Sequence, residues 1–175
     1  MMRTLALASV TLLAVACSES PADTDTTPSV LLSVTPADGT VDVTTTPTIE
    51  VRFDRPVAAG AAMLIALQVG DCPGPVVSGT WSRSTDGTAL HFHPMDDLSP
   101  GTRYSIHVGG GMTDEDGNPI DMETHGPGLG GMWVTEAMVM GMNGMGMGSM
   151  VSHSGAGWRH ENGFYGLAFG FTTGN

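Results

Sequence analysis

Thirteen residues at positions 138–150, MVMGMNGMGMGSM, contain six methionines that are separated almost only by glycine. Asn143-Gly144 at the centre of this stretch predicts a β-hairpin, because a two-residue type I′ turn needs positive φ at both positions. Side chains alternate between the two faces of a strand. The hairpin therefore places five methionines on one face, and these are Met138, Met140, Met142, Met145 and Met147.

Such a face has the chemistry of a soft-metal site. Directly opposed residues of a hairpin have Cβ atoms about 4.5–5.5 Å apart, so two or three thioethers can converge on one ion. Neutral thioethers select Cu(I) over Zn(II), Ca(II) or Mg(II). The same register puts His153 on this face, and His125 and His160 lie within the segment or at its edge as further nitrogen ligands. The sequence thus predicts Cu(I) as the bound cofactor.

Two alternatives for the methionines remain open. Methionine is also a flexible apolar residue that fills irregular gaps and provides adaptable contact surface for partner proteins. Glycine disfavours strands, so the stretch can instead be a loop whose methionines serve as oxidisable decoys.

Histidines also occur in the short motif HFHPM, at His91 and His93. If Leu90 and Phe92 point inward, the two histidines share the outward face of one strand. Imidazole is a common ligand for copper and zinc, so this spacing permits a two-nitrogen site. An exposed and solvated pair is the alternative.

Other motifs give weaker signals. Asp114, Asp116, Asn118 and Asp121 are spaced somewhat like a calcium-binding loop, but the D-x-D-x-D-G order is absent. The sequence contains no nucleophile elbow, HExxH helix or phosphate-binding loop. We therefore expect that the protein is not an enzyme.

The first seventeen residues predict export and a lipid anchor. One Arg precedes an apolar run that is too short to span a membrane stably, which is the shape of a secretory leader at residues 1–16. Residues 13–17, LAVAC, resemble a bacterial lipobox, which implies lipidation of Cys17 and attachment to a membrane. Ser18 rather than Asp at the next position resembles the lipoprotein sorting signal of a Gram-negative cell for the outer membrane, which implies a location that faces the periplasm or the cell surface. The alternative is an ordinary leader with an incidental cysteine.

The composition of the mature chain restricts its partners. No lysine is present, and removal of the leader leaves five Arg against eighteen acidic residues. This charge argues against nucleic-acid binding and is compatible with attraction of cations. With Cys17 acylated, Cys72 has no intrachain disulfide partner, so it is either buried and inert or an additional soft ligand.

The remainder of the chain predicts an all-β protein. Residues 17–29 have the polar composition of a disordered tether. From Val30 onward, short alternating segments such as Ile49, Val51 and Phe53 are separated by turn clusters, and comparable segments occur near 76–81, 90–92, 104–108 and 165–171. Several short strands without a convincing helix predict a β-sandwich.

Four motifs in this region resemble those of the bacterial Ig-like domain of surface-layer proteins. They are the PADG turn at 36–39, Phe53 at the end of a strand, the block PMDDLSPGTRY at 94–104, and the DEDGNP turn at 114–119. The resemblance covers residues 30–122 and 164–174, and it implies an Ig-like β-sandwich at 30–174. In that family the closing strand follows the GNP turn after a few residues, whereas here an insertion at 121–163 intervenes, and it carries the methionines.

A second resemblance lies in the general arrangement of the protein, because the motif positions do not correspond closely. Periplasmic copper carriers of the CopC type also place a methionine-rich loop on a small Ig-like barrel. Together these patterns predict an extracytoplasmic, lipid-anchored Cu(I)-binding protein for copper storage, tolerance or delivery, with a copper donor or acceptor protein as partner. The alternative function is a structural or adhesive surface module whose insertion docks a partner.

Overall fold

The structure is a computed structural model that describes residues 26–72, 74–121, 129–134 and 166–175. Ten strands and one short 3-10 helix occur in these residues. In chain order they are β1 (Ser29–Thr35), β2 (Thr40–Val43), β3 (Ile49–Phe53), the 3-10 helix (Ala61–Leu64), β4 (Ile65–Val69), β5 (Gly79–Arg83), β6 (Ala89–Pro94), β7 (Arg103–Gly109), β8 (Ile120–Asp121), β9 (Met132–Trp133) and β10 (Gly166–Thr173).

The strands form two sheets that pack face to face. The first sheet has the order β5-β6-β3-β1-β8, and the second has the order β2-β10-β7-β4, with β9 added beside β10. The buried apolar residues of both sheets form one core cluster. The predicted all-β, Ig-like β-sandwich is therefore confirmed.

Two-residue alternation places one face of each strand in this core. Ile49, Val51 and Phe53 of β3 are at most 1% exposed, while Glu50 and Arg52 between them keep access to solvent. On β10, Leu167, Phe169 and Phe171 form the inward face. Burial of each such aliphatic or aromatic side chain stabilises the fold by about 1.5–3 kcal/mol.

One strand boundary differs from the prediction. The apolar segment that starts at Val76 was expected to be a single strand, but β5 begins at Gly79. Val76 instead forms an isolated bridge with Gln68 of β4 in the second sheet. The segment therefore crosses between the sheets, which an apolar run cannot reveal because both sheets offer buried positions to it.

Side chains of the family motifs fasten loops to strands. The hydroxyl of Tyr104 on β7 accepts a hydrogen bond of 2.8 Å from the backbone N–H of Ser99, five residues earlier. Asp38 in the PADG turn accepts a bond of 2.7 Å from the N–H of Gly170 on β10. These residues therefore have a structural role, since each one accepts a hydrogen bond from a backbone N–H group in a loop or in a strand.

Part of the segment that was predicted as an insertion belongs to the sandwich. Met132 and Trp133 form β9, which pairs antiparallel with β10 at Ala168 and Leu167. Trp133 is partly buried against the main core, so it packs this segment on the sandwich.

Candidate functional site

The predicted ligands of the methionine face lie outside the described residues. This applies to Met138, Met140, Met142, Met145, Met147, His125, His153 and His160, and also to the predicted lipidation site Cys17. The structure does describe both ends of the segment that carries the methionines. It also describes the other candidate residues, Cys72, His91, His93 and the acidic turn at 114–119.

The two ends of residues 135–165 meet at one point beside β10. The backbone N–H of Val134 donates a hydrogen bond of 2.9 Å to the carbonyl oxygen of Gly166. The two described residues that border residues 135–165 in the chain are thus paired with each other. The six methionines of positions 138–150 lie between these two residues in the sequence.

Close packing fixes this base. The side chain of Val134 is fully buried in a small cluster with Ala66, Cys72 and Ala168 on the outer face of the second sheet. Gly166 has a φ of +122°, and a Cβ there would lie 2.1 Å from the carbonyl oxygen of Val108. Only glycine fits the return of the chain to β10 under these conditions.

Cys72 packs in the same small cluster as Val134. It is a free thiol that is 4% exposed. Burial, together with the neighbouring Asp71, raises the pKa of the thiol to about 12. Because metals and electrophiles react with the thiolate, burial and the raised pKa both disfavour reaction of Cys72 at neutral pH. The expectation of burial is confirmed.

His91 and His93 share the outer face of the first sheet, as the alternation predicts, because Leu90 and Phe92 are 1% and 5% exposed. Each ring faces a polar group on a neighbouring strand. Nδ1 of His91 lies 3.5 Å from Oε2 of Glu50 on β3, and Nε2 of His93 is hydrogen-bonded at 3.0 Å to Oγ of Ser82 on β5. The two histidines thus sit in a polar row that crosses three strands.

Sequence reasoning missed Glu50 and Ser82. Neither residue stands near the histidines in the chain, and their proximity depends on strand register, which pairs His91 with Glu50 on one side and with Ser82 on the other. The sequence did carry one sign of these contacts: β3 and β5, which flank β6, each have a polar residue at an outward position.

The acidic turn is explained without a metal. Asp114 is 2% exposed, and its Oδ1 accepts hydrogen bonds from the N–H groups of Asp116, at 3.0 Å, and Asn118, at 2.8 Å. Its Oδ2 accepts a third bond of 3.1 Å from the amide of Asn118. The carboxylate therefore holds the turn. In residues 26–72, 74–121, 129–134 and 166–175, no group of three or more His, Cys, Asp or Glu residues has the geometry of a metal site.

Sequence comparison identifies the sandwich. The bacterial Ig-like domain family matches residues 25–126, which is more than half of the chain. The chain belongs to this family. Membership supports an extracytoplasmic Ig-like module that is not itself an enzyme. No curated protein is significantly similar to the chain.

The solved structures that match part of the chain include two kinds of protein. The S-layer protein SbsC is 18% identical over 57% of this chain and 13% of its own, with a TM-score of 0.40. L,D-transpeptidase 1 of Mycobacterium tuberculosis is 23% identical over 45% of this chain and 34% of its own, with a TM-score of 0.36. An L,D-transpeptidase of Mycobacterium smegmatis is 26% identical over 50% and 38%, with a TM-score of 0.38. The chain therefore spans well under half the length of these proteins.

Within the part of the chain that the structure describes, no helix is both long and apolar enough to cross a membrane.

Proposed function

We propose that this Ig-like protein is anchored by a lipid on Cys17 outside the cytoplasm and binds Cu(I) through the methionine-rich segment 138–150. Met138, Met140, Met142, Met145 and Met147 supply thioether ligands, and His125, His153 and His160 are available as nitrogen ligands. Reversible capture of the ion serves copper storage, tolerance or delivery to an acceptor protein.

The observation that supports this proposal is the paired base of the segment. Val134 and Gly166 are joined by a hydrogen bond of 2.9 Å, so the methionines lie in the sequence between two residues that the sandwich holds together. Closing a loop costs conformational entropy that grows with its length. Because folding of the sandwich has already brought Val134 and Gly166 together, several thioethers can gather on one ion at a smaller entropic cost.

The chemistry of the ligands also favours Cu(I). Thioethers are neutral and soft, and they match Cu(I) better than they match Zn(II) or Ca(II). They carry no proton at physiological pH, so binding through sulfur does not compete with protonation, unlike binding through histidine or cysteine. The acidic chain, with a formal net charge of −12 for residues 1–175, attracts cations in general.

The first test is a Cu(I) competition titration against a chromophoric chelator. The protein is the mature chain, residues 17–175, with Cys17→Ser so that it remains soluble without lipid. The test variant replaces Met140, Met142, Met145 and Met147 by Leu, which roughly keeps the apolar volume and removes the sulfur ligands. We expect stoichiometric Cu(I) binding that is lost in this variant and that changes little between pH 5.5 and 7.5.

A matched control uses methionines of the sandwich itself. Met63 and Met95 are 78% and 75% exposed, so Met63→Leu with Met95→Leu removes two accessible thioethers outside the segment. This control should bind Cu(I) like the parent chain. Absence of binding by the parent chain, or equal binding by the four-leucine variant, would overturn the proposal.

The same variants address the alternative function, a structural or adhesive surface module. Family membership in the bacterial Ig-like domain is the observation that favours it. Leucine keeps the apolar contact surface that such a docking loop needs. Docking would therefore persist in the four-leucine variant, and Cu(I) would bind no better than Zn(II).

A further inference from the structure

We propose that His91 and His93 form a second metal site, which binds Zn(II) or a similar divalent transition metal on the outer face of the first sheet. This site is independent of the methionine segment. The base of that segment lies on the outer face of the second sheet, at Val134 and Ala168, whereas β6 belongs to the first sheet.

The strand geometry brings the two imidazoles to one side. Leu90 and Phe92 are held in the core, which fixes the rotation of β6 and directs both histidines outward. Their Cα atoms are about 6.6 Å apart, since a strand rises about 3.3 Å per residue. Two side chains of this length at that separation can chelate one ion between their rings.

The rings are already held by neighbouring strands. Glu50 lies 3.5 Å from Nδ1 of His91, and Glu50 is itself fixed by two hydrogen bonds of 3.1 Å from Nε and Nη2 of Arg52. Ser82 holds Nε2 of His93 at 3.0 Å. Histidine ligands in metal sites commonly donate their second ring N–H to a carboxylate or other acceptor, which orients the ring. Glu50 and Ser82 occupy this supporting position.

The remaining ring nitrogens are the ligand atoms. Nε2 of His91 and Nδ1 of His93 make no hydrogen bond to any residue that the structure describes. The side chain of His91 is 32% exposed, and His93 is exposed, so water can complete the coordination shell. His93 also lines a cleft of about 240 Å³ together with Asp96 and Asp97, whose carboxylates add negative potential beside the ion.

The ligand set determines which metal fits. Two imidazoles with water suit Zn(II), Ni(II) and Cu(II), and they suit Ca(II) and Mg(II) poorly because those ions prefer oxygen ligands. Two protein ligands form an open site, so the ion exchanges readily with solvent. This fits a site that samples metal outside the cytoplasm rather than one that holds the fold together.

The test is a Zn(II) titration of the mature chain with Cys17→Ser and the four leucine substitutions at positions 140, 142, 145 and 147. Removal of the thioethers separates this result from the Cu(I) proposal, so that either proposal can fail alone. We expect one Zn(II) per chain. His91→Asn and His93→Asn should each weaken binding at least tenfold, and Glu50→Gln should weaken it several-fold by freeing the ring of His91.

Thr80→Ala is the matched control, because Thr80 is an exposed residue of β5 that faces His93 across the strand pair. It should leave the affinity unchanged. A second measurement needs no substitution in the site: long-range ¹H–¹⁵N spectra should show Zn(II) shifting Nε2 of His91 and Nδ1 of His93. Lack of Zn(II) binding, binding that both histidine variants retain, or shifts confined to other histidines would overturn the proposal.

Discussion

The outer faces of the two sheets have the same alternating pattern but different environments. On the first sheet, Glu50, Ser82, His91 and His93 retain contact with solvent. On the second sheet, the outward positions of β4 and β7 hold polar residues that are almost fully buried: Gln68 and His107 are 0% exposed, and Ser105 is 3% exposed. Outward-facing residues are thus exposed to solvent on the first sheet and buried on the second.

Among the residues that the structure describes, two segments cover the outer face of the second sheet. Residues 70–72 and 74–76 fold back over β4 and β7, where Ser105 donates a hydrogen bond of 2.8 Å to the carbonyl of Gly70 and Gln68 accepts one of 3.2 Å from Gly74. Val134, at the base of the methionine segment, packs there on Ala66. Buried polar groups are tolerated because they are hydrogen-bonded. The second face therefore packs against the residues that flank the methionine segment, while Glu50, Ser82, His91 and His93 on the first face keep contact with solvent.

The largest effect is expected from a charge placed on the outer face of the second sheet, compared with the same charge on the first. Ala66→Asp puts a carboxylate at a position that is 2% exposed, and burial of an unpaired charge should cost at least about 3 kcal/mol of the free energy of unfolding. Thr80→Asp on the first face should change it by no more than about 0.5 kcal/mol. Urea denaturation followed by tryptophan fluorescence measures both. Equal midpoints would show that the second face is not covered.

The reactivity of the Cys72 thiol tests whether the outer face of the second sheet is buried, and it requires no substitution on that face. With a pKa of about 12, Cys72 should have a thiolate fraction at pH 7.5 at least about a hundredfold below that of an unfolded chain. Labelling of the Cys17→Ser protein by an alkylating reagent should be correspondingly slow and should become rapid in urea. Fast labelling of the folded protein would contradict the burial of this thiol.

The cost of replacing Gly166, at the start of β10, can be compared with the cost of replacing Gly117 in a surface turn. Gly117→Ala, at a φ of +87° with open space around it, should cost about 1 kcal/mol. Gly166→Ala adds a clash with the carbonyl oxygen of Val108 and should cost about 1–3 kcal/mol more. Denaturant midpoints of the two variants give the difference. If the two costs are equal, the base of the methionine segment is less tightly packed than the structure indicates.

The smallest effect concerns Asp86, in the turn between β5 and β6 of the open sheet. Hydrogen bonds from the hydroxyl of Ser84, at 2.6 Å, and from the N–H of Thr88, at 3.2 Å, lower the pKa of Asp86 from 3.8 to about 2. A lowered pKa means that the folded state binds this proton less readily than the unfolded state. Its contribution to stability is therefore present above about pH 4 and disappears as the pH falls towards 2.

Asp86→Asn removes this titration. Thermal unfolding at pH 7, 4, 3 and 2 should show a smaller loss of stability below pH 4 in the variant than in the parent chain. An identical pH profile would mean that the turn does not depend on the charge of this carboxylate.

Local patterns predicted much of the sandwich. Alternation gave the strands that contain Ile49, Leu90 and Ile106, and it gave the outward direction of His91 and His93. The two-residue strands β8 and β9 were not predicted, because a segment so short has no period and forms only where a neighbouring strand offers hydrogen bonds. The methionine and histidine ligands of the copper proposal remain a prediction from sequence.

The sequence by itself determined the fold class, the inward residues and the concentration of methionines between the last turn and the last strand. These properties depend on neighbours in the chain, through alternation, turn chemistry and composition. Only the tertiary structure decided that Val134 meets Gly166, that Cys72 is buried, and that Glu50 and Ser82 flank the two histidines. These contacts follow from strand register and sheet order, which result from packing of the whole core rather than from any local pattern.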